Sequence, residues 1–213
     1  MLVALATFTF AAVLIVLLPG PDTLVVVRGL VRGGRAGGIR TTLGVLSGLT
    51  VWVCAASLGL SALLRASEVG YEALKIAGAV YLCWLGVSSL RGVWRRGATD
   101  TAGAESLAAA PVRSGLLGSG YAAGLLTDVL NPKVGVFFIS FLPGFVPDGH
   151  SIGWTSLLFG AIFVLLTAAY FAVLVGLSGK VTGWMQAPRV RRRLDALTGA
   201  VLVGFGIRLA TEG

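Results

Sequence analysis

Charged side chains are scarce in this 213-residue sequence. Only 12% of the residues are Asp, Glu, Lys or Arg, whereas 56% are hydrophobic, and the mean hydropathy is +0.90. A soluble domain carries about 25% charged residues. So little polar material cannot cover a water-exposed surface, which excludes a soluble domain and predicts an integral membrane protein.

Metal-binding and redox-active side chains are also scarce. The sequence has one His, two Met and two Cys, and both Cys54 and Cys83 lie in apolar segments. Two small hydrophobic side chains are the favoured interpretation of these cysteines. We therefore predict no disulfide framework, no metal site and no cofactor. The same scarcity makes metal-cation export the weaker of two transport hypotheses.

Six apolar segments predict six membrane-spanning helices, and thus an all-α fold. They cover residues 2–27, 41–64, 76–90, 115–141, 152–178 and 194–210. No basic region precedes the first segment, which we interpret as a retained helix rather than a removed signal peptide. A small, polar stretch between the third and fourth spans predicts a flexible connector. The predicted organisation is a three-helix half (1–94), a cytoplasmic connector (95–114) and a second three-helix half (115–213).

The basic residues predict the orientation in the membrane. Thirteen of the 17 Lys and Arg residues lie in loops on one face, three lie on the other, and Lys133 lies within a span. Basic loops face the cytoplasm. We therefore predict a multi-pass protein of the cytoplasmic (inner) membrane with both termini outside. This distribution also explains the net charge of +8 without a nucleic-acid partner.

Two stretches at corresponding places in the halves resemble each other. "LLPGPDTLVVV" in the first span aligns with "VLNPKVGVFF" in the fourth, which places Asp22 over Lys133. Three spans per half would give the halves opposite orientations in the membrane. The pattern predicts a 3+3 inverted repeat, an architecture typical of secondary transporters.

Both aligned stretches contain residues that break a helix. Proline has no amide hydrogen and clashes with the carbonyl group four residues earlier. Pro19, Gly20 and Pro21 should therefore interrupt the first span, and Asn131-Pro132 the fourth. Broken helices at corresponding positions of two halves indicate a transport site. A Pro kink that only helps the helices to pack is the alternative.

A charged residue follows each predicted break. Asp22 and Lys133 could bind the ammonium and the carboxylate of a zwitterion, or could pair with each other and hold the halves together. From their positions along the predicted spans, Asp22 should lie nearer the cytoplasm and Lys133 nearer the outside. Unless the breaks draw them together, this separation argues against a direct pair.

A second acidic residue, Asp128, lies three positions before Asn131 and thus on nearly the same helical face. A carboxyl group at this depth could carry a proton, so Asp22 and Asp128 are both candidates for proton coupling. Hydrogen bonding of Asp128 to the backbone freed by the break is the alternative. The two acids could in principle form the dyad of an intramembrane protease, but the flanking sequences carry no motif that supports a membrane-embedded enzyme.

Two small-xxx-small patterns, Gly44–Gly48 and Gly120–Gly124, predict close approach of helices. Such a pattern permits a homodimer without requiring one.

Three stretches, in order and at normal spacing, resemble the LysE/RhtB family of amino-acid exporters. They are "LPGPDTLVVVRGLVRGGRAGGIRTTLGVLSG" (18–48), "LKIAGAVYLCWLGVSSLR" (74–91) and "GLLTDVLNPKVGVFFISFLPGFV" (124–146). The resemblance implies export of amino acids or close derivatives, driven by protons or another coupling ion. It implies a translocation site at Pro19, Gly20, Pro21, Asn131, Pro132 and Lys133. The family also accepts Asn after its Pro-Gly-Pro, which makes Asp22 doubtful as an indispensable proton carrier.

The sequence departs from the family pattern at one position. The family commonly has a polar residue in its Phe-Leu-Pro-Gln-Phe stretch, where this chain has Gly144. The predicted function is nevertheless that of a secondary transporter that exports amino acids and is embedded in the lipid bilayer. Export of another small solute is the alternative, and no sequence feature selects a particular amino acid.

Overall fold

The computed structural model describes residues 1–95, 119–177 and 188–211. Most of the predicted connector, the predicted start of the fourth span and Lys180 lie outside these residues. The described residues are helical almost throughout and contain no strand. The helices are α1 (Leu2–Leu17), α2 (Pro21–Ala66), α3 (Glu68–Arg95), α4 (Tyr121–Val129), α5 (Pro132–Val136), α6 (Ile152–Gly176) and α7 (Pro188–Thr211). A π-helical turn (Phe137–Phe141) and a 3₁₀ turn (Leu142–Phe145) continue α5.

α2 is a helical hairpin rather than one straight rod. Gly33 and Gly34 leave the helical conformation, and Gly34 has a positive φ of 57°, which glycine adopts without strain. The chain reverses at these two residues. The reversal brings Gly29 and Gly37 together, so that a Cβ atom on Gly29 would lie 3.0 Å from the carbonyl oxygen of Gly37. The first arm, residues 21–32, thus continues the course of α1, and the second arm, residues 35–66, forms the next helix. The predicted loop around residues 28–40 is therefore almost entirely helical.

By length and composition, two segments of the described residues could cross a membrane: Pro21–Gly59, which includes the reversal at Gly33–Gly34, and Ile152–Gly176. Tyr121–Val129 and Pro132–Phe145, bent by 49° at their junction, form a third when they are taken together. Leu2–Leu17 and Ile76–Arg91 are shorter apolar helices. The all-helical, apolar architecture is as predicted, whereas six spans and a 3+3 inverted repeat stay predictions.

Helix packing brings the two halves of the sequence together. The second arm of α2 packs on α4, α2 and α1 pack on α6, and α3 packs on α7. A cluster of aromatic rings fills the space between α1, α6 and the π-helical turn. At its centre, Phe8 stacks on Phe159 with ring centroids 4.5 Å apart and meets Phe145 edge-on at 5.4 Å.

The small-xxx-small glycines are used inside the chain, between α2 and α4. A Cβ atom on Gly44 would collide with the carbonyl oxygen of Tyr121, and one on Gly124 with that of Thr41. Their backbones therefore touch, as the patterns predicted. Because Gly44 and Gly124 are buried by this contact, they offer no open face to a second copy. A homodimer stays a prediction without structural support from these glycines.

Candidate functional site

The first break lies between α1 and α2 and changes the partner of the Ile15 carbonyl group, which accepts from the amide of Leu18 at 3.3 Å. α1 ends at Leu17, and Leu18 is extended (φ −77°, ψ 111°). In a continuous helix the amide of residue 19 would donate to the carbonyl of Ile15, but Pro19 has no amide hydrogen. α2 then starts with Pro21 at its first position, which a proline tolerates because the amide there has no helical partner.

The second break lies between α4 and α5 and is capped by its own side chain. Asn131 is extended (φ −76°, ψ 105°), as the residue before a proline tends to be. Its Oδ1 accepts a hydrogen bond from the backbone amide of Lys133 at 3.1 Å, so that Asn131 is the N-cap of α5. Pro132 occupies the first position of that helix.

The two breaks meet and exchange hydrogen bonds. The Nδ2 atom of Asn131 donates to Oδ2 of Asp22 at 2.8 Å. The ammonium group of Lys133 lies 3.3 Å from the carbonyl oxygen of Ile15 and 3.4 Å from that of Leu18, and donates to both. Every donor in these three contacts comes from the second break, and every acceptor comes from the first.

Each charge lies at the helix end that stabilises it. Lys133 reaches the C-terminal end of α1, where the backbone carbonyls carry partial negative charge. Asp22 lies in the first turn of α2, where the unpaired amides carry partial positive charge. At the first break, the negative C-terminal end of α1 and the positive N-terminal end of α2 therefore lie close together.

The two breaks bring Asp22 and Lys133 to the same cavity, which is the exception that the sequence left open. The first arm of α2 extends from Asp22 to residue 32 before the chain reverses, which places the carboxylate roughly 15 Å from that end of the helix. The depth of each residue in a membrane stays a prediction.

Asp22 and Lys133 do not form a direct ion pair among the residues that the structure describes. Each is held by groups of the opposite break instead. The hypothesis that they pair directly to hold the halves together is therefore wrong for this conformation. The halves are joined at this point by Asn131 and by the two carbonyl groups of α1.

The two breaks border a cavity of about 40 Å³. Its polar side chains are Asp22, Lys133, Thr23, Thr167 and Tyr170, and Gly20 also lines it. The apolar part of its wall is formed by Ile15, Val16, Leu18, Val45, Leu49, Val134, Phe137, Phe163 and Phe171. Oδ1 of Asp22 is buried and has no hydrogen-bond partner among the described residues, which leaves an acceptor at the cavity wall.

Asp128 lies near this cavity but does not line it. Its side chain is fully buried, and in the described part of the chain neither carboxyl oxygen has a hydrogen-bond partner. The interpretation that Asp128 hydrogen-bonds to the freed backbone is therefore wrong. The indole Nε1 of Trp52 donates to the backbone oxygen of Asp128 at 3.3 Å, not to its carboxyl group.

The sequence analysis did not predict several of the residues that line the cavity. The carbonyl group of Ile15 was predictable, because it lies four residues before Pro19. Thr23, Thr167 and Tyr170 carry no such signal, since hydroxyl groups are common in membrane helices and α6 reads as a uniform apolar span. Across residues 1–95, 119–177 and 188–211, no group of three or more His, Cys, Asp or Glu side chains is arranged to hold a metal ion.

Interrupted membrane helices that meet around a small polar cavity are typical of membrane transport proteins. The comparison with protein families agrees: residues 13–213 match the LysE type translocator family. The chain belongs to this family, as its motifs predicted.

Three relatives illustrate the family. An uncharacterized membrane protein of Pseudomonas aeruginosa is 35% identical over 96% of this chain and 94% of its own length. The threonine efflux protein of Escherichia coli K12 is 30% identical over 98% of both chains. The leucine efflux protein of Enterobacter sp. strain 638 is 29% identical over 96% of this chain and 94% of its own length. No solved structure matches the chain.

Proposed function

We propose that this protein exports neutral amino acids from the cytoplasm and binds them as zwitterions between the two breaks. Relatives that align along nearly the whole chain are named for the efflux of threonine and of leucine, which both have uncharged side chains. The observation that carries the proposal is that one carboxylate and one ammonium group border the same buried cavity.

Asp22 is the proposed partner of the substrate ammonium. One of its oxygens already accepts from Asn131, and the other is buried without a partner among the described residues. A buried carboxylate oxygen of this kind binds a cationic donor strongly, because water competes little for it. The positive end of α2 stabilises the charged form of this carboxylate.

Lys133 is the proposed partner of the substrate carboxylate. An ammonium group has three donors, and the carbonyl groups of Ile15 and Leu18 use two of them at the long distances of 3.3 and 3.4 Å. A carboxylate would displace or supplement these contacts, since it adds the attraction of a full negative charge to the hydrogen bond.

The remaining wall of the cavity fits an uncharged side chain. It is mostly aliphatic and aromatic, with hydroxyl groups from Thr23, Thr167 and Tyr170. A hydroxylated or branched side chain could pack or hydrogen-bond there. A basic side chain would need a second carboxylate, and Asp22 is the only acidic residue on the described wall.

The cavity between the breaks is too small to hold an amino acid in the described conformation. The cavity of about 40 Å³ is far below the roughly 300 Å³ at which small-molecule sites begin. Substrate entry and exit therefore require the helices around the breaks to move apart, as in alternating access. The contacts of Lys133 with α1 are the ones that such a movement would break first, because they are the longest polar contacts across the breaks.

The proposed orientation places the Gly33–Gly34 turn at the cytoplasmic face of the inner membrane. Four exposed arginines surround that turn, which is the pattern expected of a cytoplasmic loop: Arg28, Arg32, Arg35 and Arg40. Coupling to the proton gradient, with Asp22 and Asp128 as the candidate carriers, is part of the proposal.

The proposal is tested by the extracellular amino-acid profile of cells that overproduce the protein. We expect a selective rise of one or a few neutral amino acids, and we expect Lys133→Ala to abolish it at equal membrane abundance. Arg35→Ala is the matched control, because it removes an exposed cation far from the breaks. No selective rise with the unaltered protein, or a full rise with Lys133→Ala, would contradict the proposed function.

A further inference from the structure

The carboxyl group of Asp128 is sealed from solvent and is separate from the substrate cavity. The residue has 0% exposure and contributes nothing to the cavity wall. It belongs to α4, one turn before the second break, and its side chain faces the second arm of α2. A substrate seated between Asp22 and Lys133 would therefore not touch it.

The described residues around this carboxyl group provide no hydrogen bond that would stabilise its charged form, so they favour the neutral form. Neither oxygen has a hydrogen-bond partner in the described segments, and the facing residue, Gly48, has no side chain. A buried carboxylate that is neither paired nor hydrogen-bonded is very costly, whereas the neutral acid costs far less. The packing therefore suits a group that holds its own proton while the site is closed.

The charged groups of the described residues around this part of α4 are those of the two breaks. Asp22, at the start of α2, is near enough to interact electrostatically with Asp128, and Lys133 follows on α5. On the second arm of α2, the facing residues are Gly48, which has no side chain, and Trp52, which does not titrate. The electrostatic partner of Asp128 is thus the same carboxylate that is proposed to bind the substrate ammonium.

Asn131 joins the two carboxyl groups mechanically. Its backbone amide donates to the carbonyl oxygen of Asp128 at 3.0 Å, and its side chain donates to Asp22 at 2.8 Å. A substrate that draws Asp22 away must pull on Asn131, and through it on the last turn of α4. Substrate binding and the seal around Asp128 are therefore connected by two hydrogen bonds.

We propose that Asp128 is the binding site for the coupling proton and that Asp22 serves the substrate alone. This inference rests on the proposed export function and assigns the two candidate carriers different roles. Asp128 takes up a proton from the external side when the seal opens there, keeps it through the return of the empty carrier, and releases it to the cytoplasmic side. The proton thus moves in the direction opposite to the amino acid.

The test uses the purified full chain in proteoliposomes with labelled threonine and labelled leucine as probes. Exchange of labelled for unlabelled amino acid needs no net proton movement, whereas accumulation inside vesicles with an acidic lumen does. We expect Asp128→Asn to exchange within about twofold of the unaltered protein and to lose gradient-driven accumulation by at least about tenfold. Asp148→Asn makes the same chemical change at an exposed carboxyl group and should alter neither rate.

Each outcome decides between the proposals. An unaltered protein that exchanges neither probe contradicts the proposed function itself, and the assignment of Asp128 falls with it. An unaltered protein that exchanges but accumulates with a sodium gradient instead of a proton gradient overturns only the proton site. Accumulation that persists in Asp128→Asn, or a loss of exchange together with accumulation in a well-folded variant, also overturns it.

A second pair of variants covers the case in which Asp128→Asn does not fold. A methyl group on Gly48 would lie 2.6 Å from Oδ2 and 2.8 Å from Cβ of Asp128, so the carboxyl group must shift. Gly48→Ala should therefore displace the pH profile of accumulation more than it changes exchange. Gly59→Ala, on the same helix with nothing within 4 Å, is the control. Identical pH profiles for both variants would overturn the proposal.

Discussion

The two broken spans differ in what they leave unsatisfied. The break between α1 and α2 has surplus acceptors: the carbonyl groups of Ile15 and Leu18 and the carboxylate of Asp22. The break between α4 and α5 is closed by its own N-cap and has surplus donors, the Asn131 amide and the Lys133 ammonium. Neither break is complete alone, so the polar site exists only where the two halves of the sequence meet.

This complementarity explains why a membrane protein can carry such breaks. A free backbone carbonyl inside a bilayer costs several kcal/mol, by order of magnitude, and so does an unpaired charge. Here each cost is offset by the other break. The ammonium group of a zwitterionic substrate can replace the contact that Asp22 makes, and its carboxylate can replace those that Lys133 makes. Such an exchange suits a site that must open and close.

After the loss of export expected for Lys133→Ala, the largest expected effect is at the carboxylate of the first break. Asp22→Leu should lower the affinity for the exported amino acid roughly tenfold to a hundredfold, because hydrogen bonds to charged groups contribute about 1.5–3 kcal/mol. Asp22→Asn keeps an acceptor for Asn131 and should cost less. The affinity of each variant is measured by competition between unlabelled and labelled amino acid in proteoliposomes. Equal affinities for the two variants would show that the charge of Asp22 does not contribute to substrate binding.

A smaller effect is expected at the residue that joins the breaks. Asn131→Ser can still cap α5 but is too short to reach Asp22, whereas Asn131→Leu loses both contacts. We expect affinity to fall about tenfold in the leucine variant, or about 1.4 kcal/mol, because Asn131 positions Asp22 and does not itself bind the substrate. The serine variant should lie between it and the unaltered protein. If serine behaves like the unaltered protein in the same competition assay, the contact from Asn131 to Asp22 has no role in binding.

The smallest effect is expected at Gly20. A Cβ atom there would lie 3.8 Å from Nζ of Lys133, an ordinary contact distance, and the residue has no positive φ. Gly20→Ala should therefore change transport less than about twofold, because the added methyl group meets no close neighbour. Gly20→Leu, which extends into the small cavity, should block it. A complete loss in the alanine variant would mean that the break itself must change conformation at Gly20 during transport.

Much of this arrangement was predictable from the sequence. The breaks at Pro19–Pro21 and Asn131–Pro132 follow from the missing amide of proline, and they stand where the residues predicted. The helical, membrane-embedded class followed from the shortage of charge. Family membership followed from three motifs and is confirmed.

The parts that could not be predicted depend on where helices begin and turn. The reversal at Gly33–Gly34 looks, in sequence, like the middle of a basic loop, because glycine and arginine alternate there. The sealed state of Asp128 depends on the absence of a side chain at Gly48, 80 positions earlier in the sequence, and no local pattern reports a contact of that kind.

The most direct test of a site built from both breaks is competition by amino-acid analogues that lack one charge. Labelled threonine exchange in proteoliposomes would be measured against threonine, an analogue without the carboxylate and an analogue with a hydroxyl group in place of the ammonium. If Asp22 and Lys133 each bind one end of the substrate, both analogues should compete at least about tenfold more weakly than threonine. An analogue that competes as well as threonine would show that one of the two breaks does not contact the substrate.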